Sequence, residues 1–181
     1  MILIALAGLC LLTVPLAGGD VRRLADLRLR ATGLPVAALA AQVVITVIAP
    51  SGSPVLHRAV HLATYAVLGA FLWCNRGLRG MRIVAAGALS NALAIAVNRG
   101  VMPASAWAER VAGLHLRAGF DNSAHLAHPL LPWLGDIIPW PGPLPNVLSV
   151  GDCAIYLGVL VLLHRVCARR PAVAAPLAPA D

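Results

Sequence analysis

Apolar residues collect in five runs, Met1–Ala17, Leu34–Ala49, Val55–Cys74, Ile83–Val97 and Val147–Val166, with most of the charge in the segments between them. Each run reads as a membrane-spanning helix. Several are shorter than the roughly 20 residues of an ideal span, so flanking arginines and tryptophans must snorkel or anchor to make up the difference. No unit of 20–50 residues repeats.

Composition sharpens this picture. Apolar residues make up 60% and charged residues 12%, with a mean hydropathy of +0.83, against about 45–50% and about 25% in soluble domains. A water-soluble chain of 181 residues has too little interior to hide so much apolar surface. The predicted class is all-α: a polytopic membrane bundle of five transmembrane helices with an interfacial helix and a proline-rich outer loop. One transmembrane domain is expected over residues 1–166, its long outer segment at 98–146. A disordered cytoplasmic tail is expected over 167–181.

The net charge of +7 comes from fourteen arginines and no lysine. They sit at the ends of apolar runs, which fits topology control rather than nucleic-acid binding. Segments 18–33, 75–82 and 164–181 hold four, three and three arginines; Arg58, Arg99, Arg110 and Arg117 lie on the other side. Positive-inside counting puts the N-terminus outside and the C-terminus on the cytoplasmic side of a plasma (inner) membrane. The first run has no basic residue before it and no A-x-A site after it, so it reads as a retained helix and not a signal peptide. The stretch "GDVRRLADLRLRAT" reads as a short amphipathic helix on the inner leaflet. The four cysteines form no CxxC pair, and a disulfide framework is not expected.

The outer segment holds the unusual chemistry. After Pro103 a helix is expected over 104–118, with Trp107, Val111, Leu114 and Ala118 on one face and Gly119 as its stop. Asp121 or Ser123 is positioned to cap a short turn carrying His125 and His128. "HPLLPWLGDIIPWPGPLP" follows, with six prolines in eighteen residues. Prolines exclude a continuous helix and remove backbone donors, and irregular backbone is not tolerated against lipid. An ordered cap over the outer end of the bundle, anchored by Trp133 and Trp140, is the expectation.

Candidate site residues are His57, Arg58, His61, Asn98, Arg99, Asp136 and Asp152, all on the outer side. Unpaired, each would cost several kcal/mol if buried, so Asp136 or Asp152 is expected to meet Arg58 or Arg99. Asp136 can act as a ligand or proton-handling acid, or can merely tie the loop down. Ser149 and Asp152 fit a capping box. His57 and His61, four apart with Tyr65 one turn deeper, suit either half of a metal site or polar contacts at a helix mouth. His125 and His128 are weak metal candidates; neither a metal nor a cofactor is expected. Gln42 with Thr46, and Asn91 with Asn98, suit interhelical hydrogen bonding. Walker, GxSxG, HExxH and GxGxxG motifs are missing.

The pieces "RLADLRLR", "NRGVMPAS" and "HPLLPWLGDIIPWPGP…VLSVGD" resemble the uncharacterised family of bacterial multi-pass membrane proteins catalogued as domain of unknown function 5317. The resemblance implies a membrane location and no activity. Three readings follow. The first is a non-enzymatic module that binds a membrane protein partner or lipid through its outer loop, the bilayer being its first partner. The second is a small-ligand binder or carrier with a polar mouth near His57, His61 and Asp136. The third is an intramembrane acid–base or metal-dependent enzyme.

Overall fold

The computed structural model describes residues 2–48, 53–114 and 123–168. The fold is mostly helical. The long helices are α1 (Ile2–Leu16), α2 (Gly33–Val43, prolonged by a π-helical turn, Val44–Ile48), α3 (Pro54–Cys74), α4 (Met81–Val97) and α6 (Val150–Cys167); α5 (Ala106–Ala112) is short. Each of the five apolar runs therefore holds a helix, the fifth starting only at Val150. Two, Val55–Cys74 and Val150–Cys167, are long and apolar enough to cross a membrane; Ala5–Leu16, Gly33–Val43 and Met81–Val97 are apolar but shorter. Large apolar side chains stay exposed along them, among them Leu12, Leu39, Val47, Leu89 and Leu157.

The helices pack in the order α2, α3, α4, α6, α1, each against the next, and α4 with α6 is the most extensive contact. Glycines seven residues apart on each helix make it close. Gly87 faces Gly151 and Gly80 faces Gly158, so the two helices run antiparallel. A Cβ on Gly151 would lie 2.6 Å from the Gly87 carbonyl oxygen, and one on Gly158 2.8 Å from that of Gly80. Such small residues let the backbones approach and gain dispersion contacts.

The other end of α6 is also pinned. The Asp20 N–H donates to the Cys167 carbonyl at 2.9 Å, and Arg23 donates to the carbonyl of Ala168. The intervening segment is a 3₁₀ turn, Val21–Asp26, capped by the Asp20 carboxylate, where a short amphipathic helix was expected. Residues 167 and 168, assigned to the tail, are thus part of the folded unit; the rest of the expected tail lies outside the described residues.

The all-α expectation is corrected in the long segment after α4. Strand β1 (Met102–Pro103) pairs in parallel with β2 (Ser123–Ala124), and β3 (Asp136–Trp140) pairs antiparallel with β4 (Asn146–Ser149). The proline-rich stretch is thus mainly a β-hairpin, with Pro139 opposite Val147 and a register irregularity between Asp136 and Ile138. A two-stranded ribbon has free edges, and these tolerate proline where a central strand would not. Helix α5 is shorter than expected and stops at Gly113 (φ 74°) instead of Gly119, which lies outside the described residues, as do Ala118 and Asp121. Ala108 and Ala112 are its buried face and pack on Val147; Trp107 and Val111 point outward. A second cluster, Ala94, Ile95 and Met102, with Leu62, Tyr65 and Leu134 against it, seats this cap on α3 and α4.

Candidate functional site

Helix α4 ends in a Schellman motif: Gly100 N–H donates to the Ile95 carbonyl at 2.8 Å and Arg99 N–H to that of Ala96 at 3.2 Å. Arg99 takes the left-handed position (φ 58°) that glycine usually fills, at a cost of about 1–2 kcal/mol. Gly100 follows at φ 88° and lies against the side-chain stem of Arg58. Both arginines are exposed. Asn98, at the helix end, donates to the Leu130 carbonyl and accepts from the Leu130 N–H, both at 2.8 Å. It therefore fastens the proline-rich stretch to α4. Asn75, at the end of α3, makes the same bidentate contact with the backbone of Arg30.

Among the described residues neither acid pairs with an arginine, Arg58 and Arg99 included, which corrects the expected ion pairing. Asp152 takes Asn91 Nδ2 at 2.8 Å and the Ser149 N–H at 2.9 Å, while Ser149 Oγ donates to Asn91 Oδ1 at 2.9 Å. This is the anticipated capping box, joined across to α4. Asp136 instead accepts from Ser123 Oγ at 2.5 Å. Burial pushes its carboxyl up to about 6; the Ser123 bond opposes the rise, and the carboxylates of Asp152 and Glu109 add to it. His125 sits 2.5 Å from Glu109. His128 is exposed, and the described residues contain no group of three metal-ligating side chains. The charges share one end of the molecule, but neutral donors satisfy the two acids.

His57 and His61 are both buried, with different surroundings. The ring nitrogens of His57 lie 2.9 Å from the Ser53 carbonyl oxygen and 2.8 Å from that of Ile45, a cross-link between α3 and the π-helical turn. His61 Nδ1 lies 2.9 Å from Nε2 of Gln42, which also lies 2.7 Å from Thr64 Oγ1. The Thr64 hydroxyl spends its hydrogen on the His61 carbonyl, at 2.7 Å, so it accepts from Gln42. The second amide hydrogen then goes to His61 Nδ1, which must be an acceptor. The hydrogen of the neutral imidazole is therefore on Nε2, and Nε2 is buried without a partner. Gln42 thus makes the expected interhelical bond; the side chain of Thr46 lies outside the described ones.

His61 faces a cleft of about 890 Å³ between α2, α3, α4 and α6. Leu39, Leu68, Leu72, Leu89 and several alanines give it an apolar wall. Gln42, His61, Thr64, Tyr65, Asn91 and Asp152 form a polar corner, and Trp73, Arg76 and Arg82 stand at the other end. The Arg76 guanidinium stacks on Trp73, 4.3 Å from the ring centroid. Of the expected site residues, only His61 and Asp152 line this cleft. Tyr65, edge-on to His61 at 5.3 Å, and Asn91 join them.

Residues 26–164 match the model of a family described only as a family of unknown function (DUF5317). The chain belongs to that family. It is also 33% identical over 93 residues to an uncharacterised protein of Thermotoga maritima, an alignment covering 50% of this chain and 54% of the relative. The chain thus spans about half the length of the curated relative it matches. No solved structure matches.

Proposed function

We propose that this DUF5317 protein is a multi-pass inner-membrane protein that is not an enzyme and holds an amphiphilic lipid in the cleft between α2, α3, α4 and α6. On this reading all five long helices span the bilayer, with the N-terminus and the Met102–Ser149 cap outside. The exposed leucines and valines of the helices then face lipid, and the arginine-rich segments face the cytoplasm. The observation that carries the reading is the cleft itself, apolar along its length with one polar corner. That is the usual make-up of a small-molecule pocket, and it contains a buried histidine nitrogen with no partner. Asp152 is occupied by its capping box and Asp136 by Ser123, so neither needs a catalytic role to explain its place.

Native mass spectrometry of the full chain in mild detergent tests this. A lipid adduct should survive on the wild type and be lost from Ala88→Trp, which fills the middle of the cleft. Equal adducts on both proteins would refute the reading. A second reading, a protein partner at the cap, is favoured by the exposed Leu130, Trp133 and Leu144. Trp133→Asp would then abolish co-purification of that partner and leave the lipid adduct intact.

A further inference from the structure

We infer that the cleft selects an uncharged amphiphile whose carbonyl oxygen takes the Nε2–H of His61, with its hydrocarbon tail lying along Leu68, Leu72 and Leu89. The inference rests on the cleft reading above and adds the chemical class of the occupant.

The first support is a polar group left unmatched. His61 is only 6% exposed, its Nδ1 is committed to Gln42, and its Nε2 has no partner. A buried donor left unsatisfied costs about 1–3 kcal/mol. Proteins seldom retain such a group without an unseen partner or a functional use. Tyr65, one turn further along α3 and edge-on to His61, lines the same cleft, and no hydrogen bond of its hydroxyl is found among the described residues. Two donors on one wall call for an acceptor with two lone pairs, which a carbonyl oxygen supplies.

The second support is charge. Asp152 lines the same corner, so an anionic head there would be repelled at short range in a low-dielectric setting. A cationic ammonium would be drawn to Asp152 but, having no lone pair, would leave the His61 Nε2–H unmatched. A neutral head meets neither penalty. The basic end of the cleft is remote: His61 and Arg76 are fifteen residues apart, about 22 Å at helical rise. A phosphate bound by Arg76 and Arg82 would leave only tail carbons to face the donors of His61 and Tyr65. A neutral head at His61 instead sends its tail along the leucines.

Equilibrium binding to the detergent-purified full chain provides the test. Four probes have tails within one carbon of each other: a decyl-substituted benzoquinone, methyl decanoate, decanoate and decane. The two carbonyl probes should bind at least tenfold more tightly than decanoate or decane. A preference between ring and ester carbonyl would identify which source of carbonyl fits. His61→Phe should weaken both carbonyl probes at least tenfold, Tyr65→Phe at least threefold, and neither should change decane. If His61→Phe fails to fold, Tyr65→Phe decides the outcome alone. Tightest binding of decanoate, or carbonyl binding that neither variant alters, would overturn the inference. In that case loss of all probes in Ala88→Trp would leave the cleft reading standing, whereas an unchanged Ala88→Trp would sink both.

Discussion

Asn91 donates to Asp152 across α4 and α6 at 2.8 Å, and the glycine contact lies beside this bond: a Cβ on Gly151 would fall 2.6 Å from both Asn91 Cγ and the Gly87 carbonyl oxygen. The bond can form only because both helices carry glycine there. Gly151→Ala should therefore push the helices apart and break the Asn91–Ser149–Asp152 set together, costing about 2–4 kcal/mol. Gly8→Ala, where nothing lies within 4 Å, should leave the melting temperature unchanged or raise it. Thermal unfolding of both variants in the same detergent checks the contrast.

The cap should loosen as pH rises. The Asp136 carboxyl is pushed up to about 6 by burial, above its unfolded value of about 4. The folded cap therefore binds the proton more tightly. Its stability is fully present below about pH 4, falls as pH rises to 6 and is level above that. Partial exposure limits the effect to about 1–2 kcal/mol. The Glu109 carboxylate is one of the charges acting on Asp136, so the comparison belongs in a Glu109→Gln background. There Asp136→Asn should flatten the pH dependence of cap proteolysis between pH 4 and 7 and slow cleavage at pH 7. An unchanged profile would show that Asp136 stays ionised throughout.

The helical frame was legible because apolar runs report helix positions directly, and each of the five holds a helix. The capping box at Ser149 and Asp152 was legible because its spacing is local. The strand pairs were not, because prolines at 139, 141, 143 and 145 interrupt the alternation that marks a strand. The expectation of arginine partners for Asp136 and Asp152 failed because sharing one end of the molecule does not bring charges into contact; a serine hydroxyl, an asparagine amide and one backbone amide supply the donors. Gly80 with Gly87 and Gly151 with Gly158 carried a readable signal in their common spacing of seven, and it was missed. The cleft had no such signal, since it depends on how far α2 and α4 stand apart around α3. His61 looked equivalent to His57 in sequence, and the hydrogen bonds around each ring, to Gln42 for His61 and to the Ser53 and Ile45 carbonyls for His57, distinguish them.

The membrane orientation has its own check. In a protein with Cys10, Cys74, Cys153 and Cys167 replaced, Arg110→Cys should react with an impermeant thiol reagent added outside intact cells. Arg79→Cys should react only after the membrane is opened. The reverse pattern would invert the proposed topology.

Photocrosslinking in native membranes tests lipid binding in the cleft most directly. Benzoylphenylalanine placed at Leu68, inside the cleft, is compared with the same group at Val36, on α2 and 66% exposed. Mass spectrometry of the adducts should find one dominant neutral, carbonyl-bearing lipid at position 68, lost when His61 is also changed to Phe. Position 36 should capture the bulk lipid mixture. The same mixture at both positions would mean that the cleft is ordinary lipid-facing surface and that His61 selects nothing.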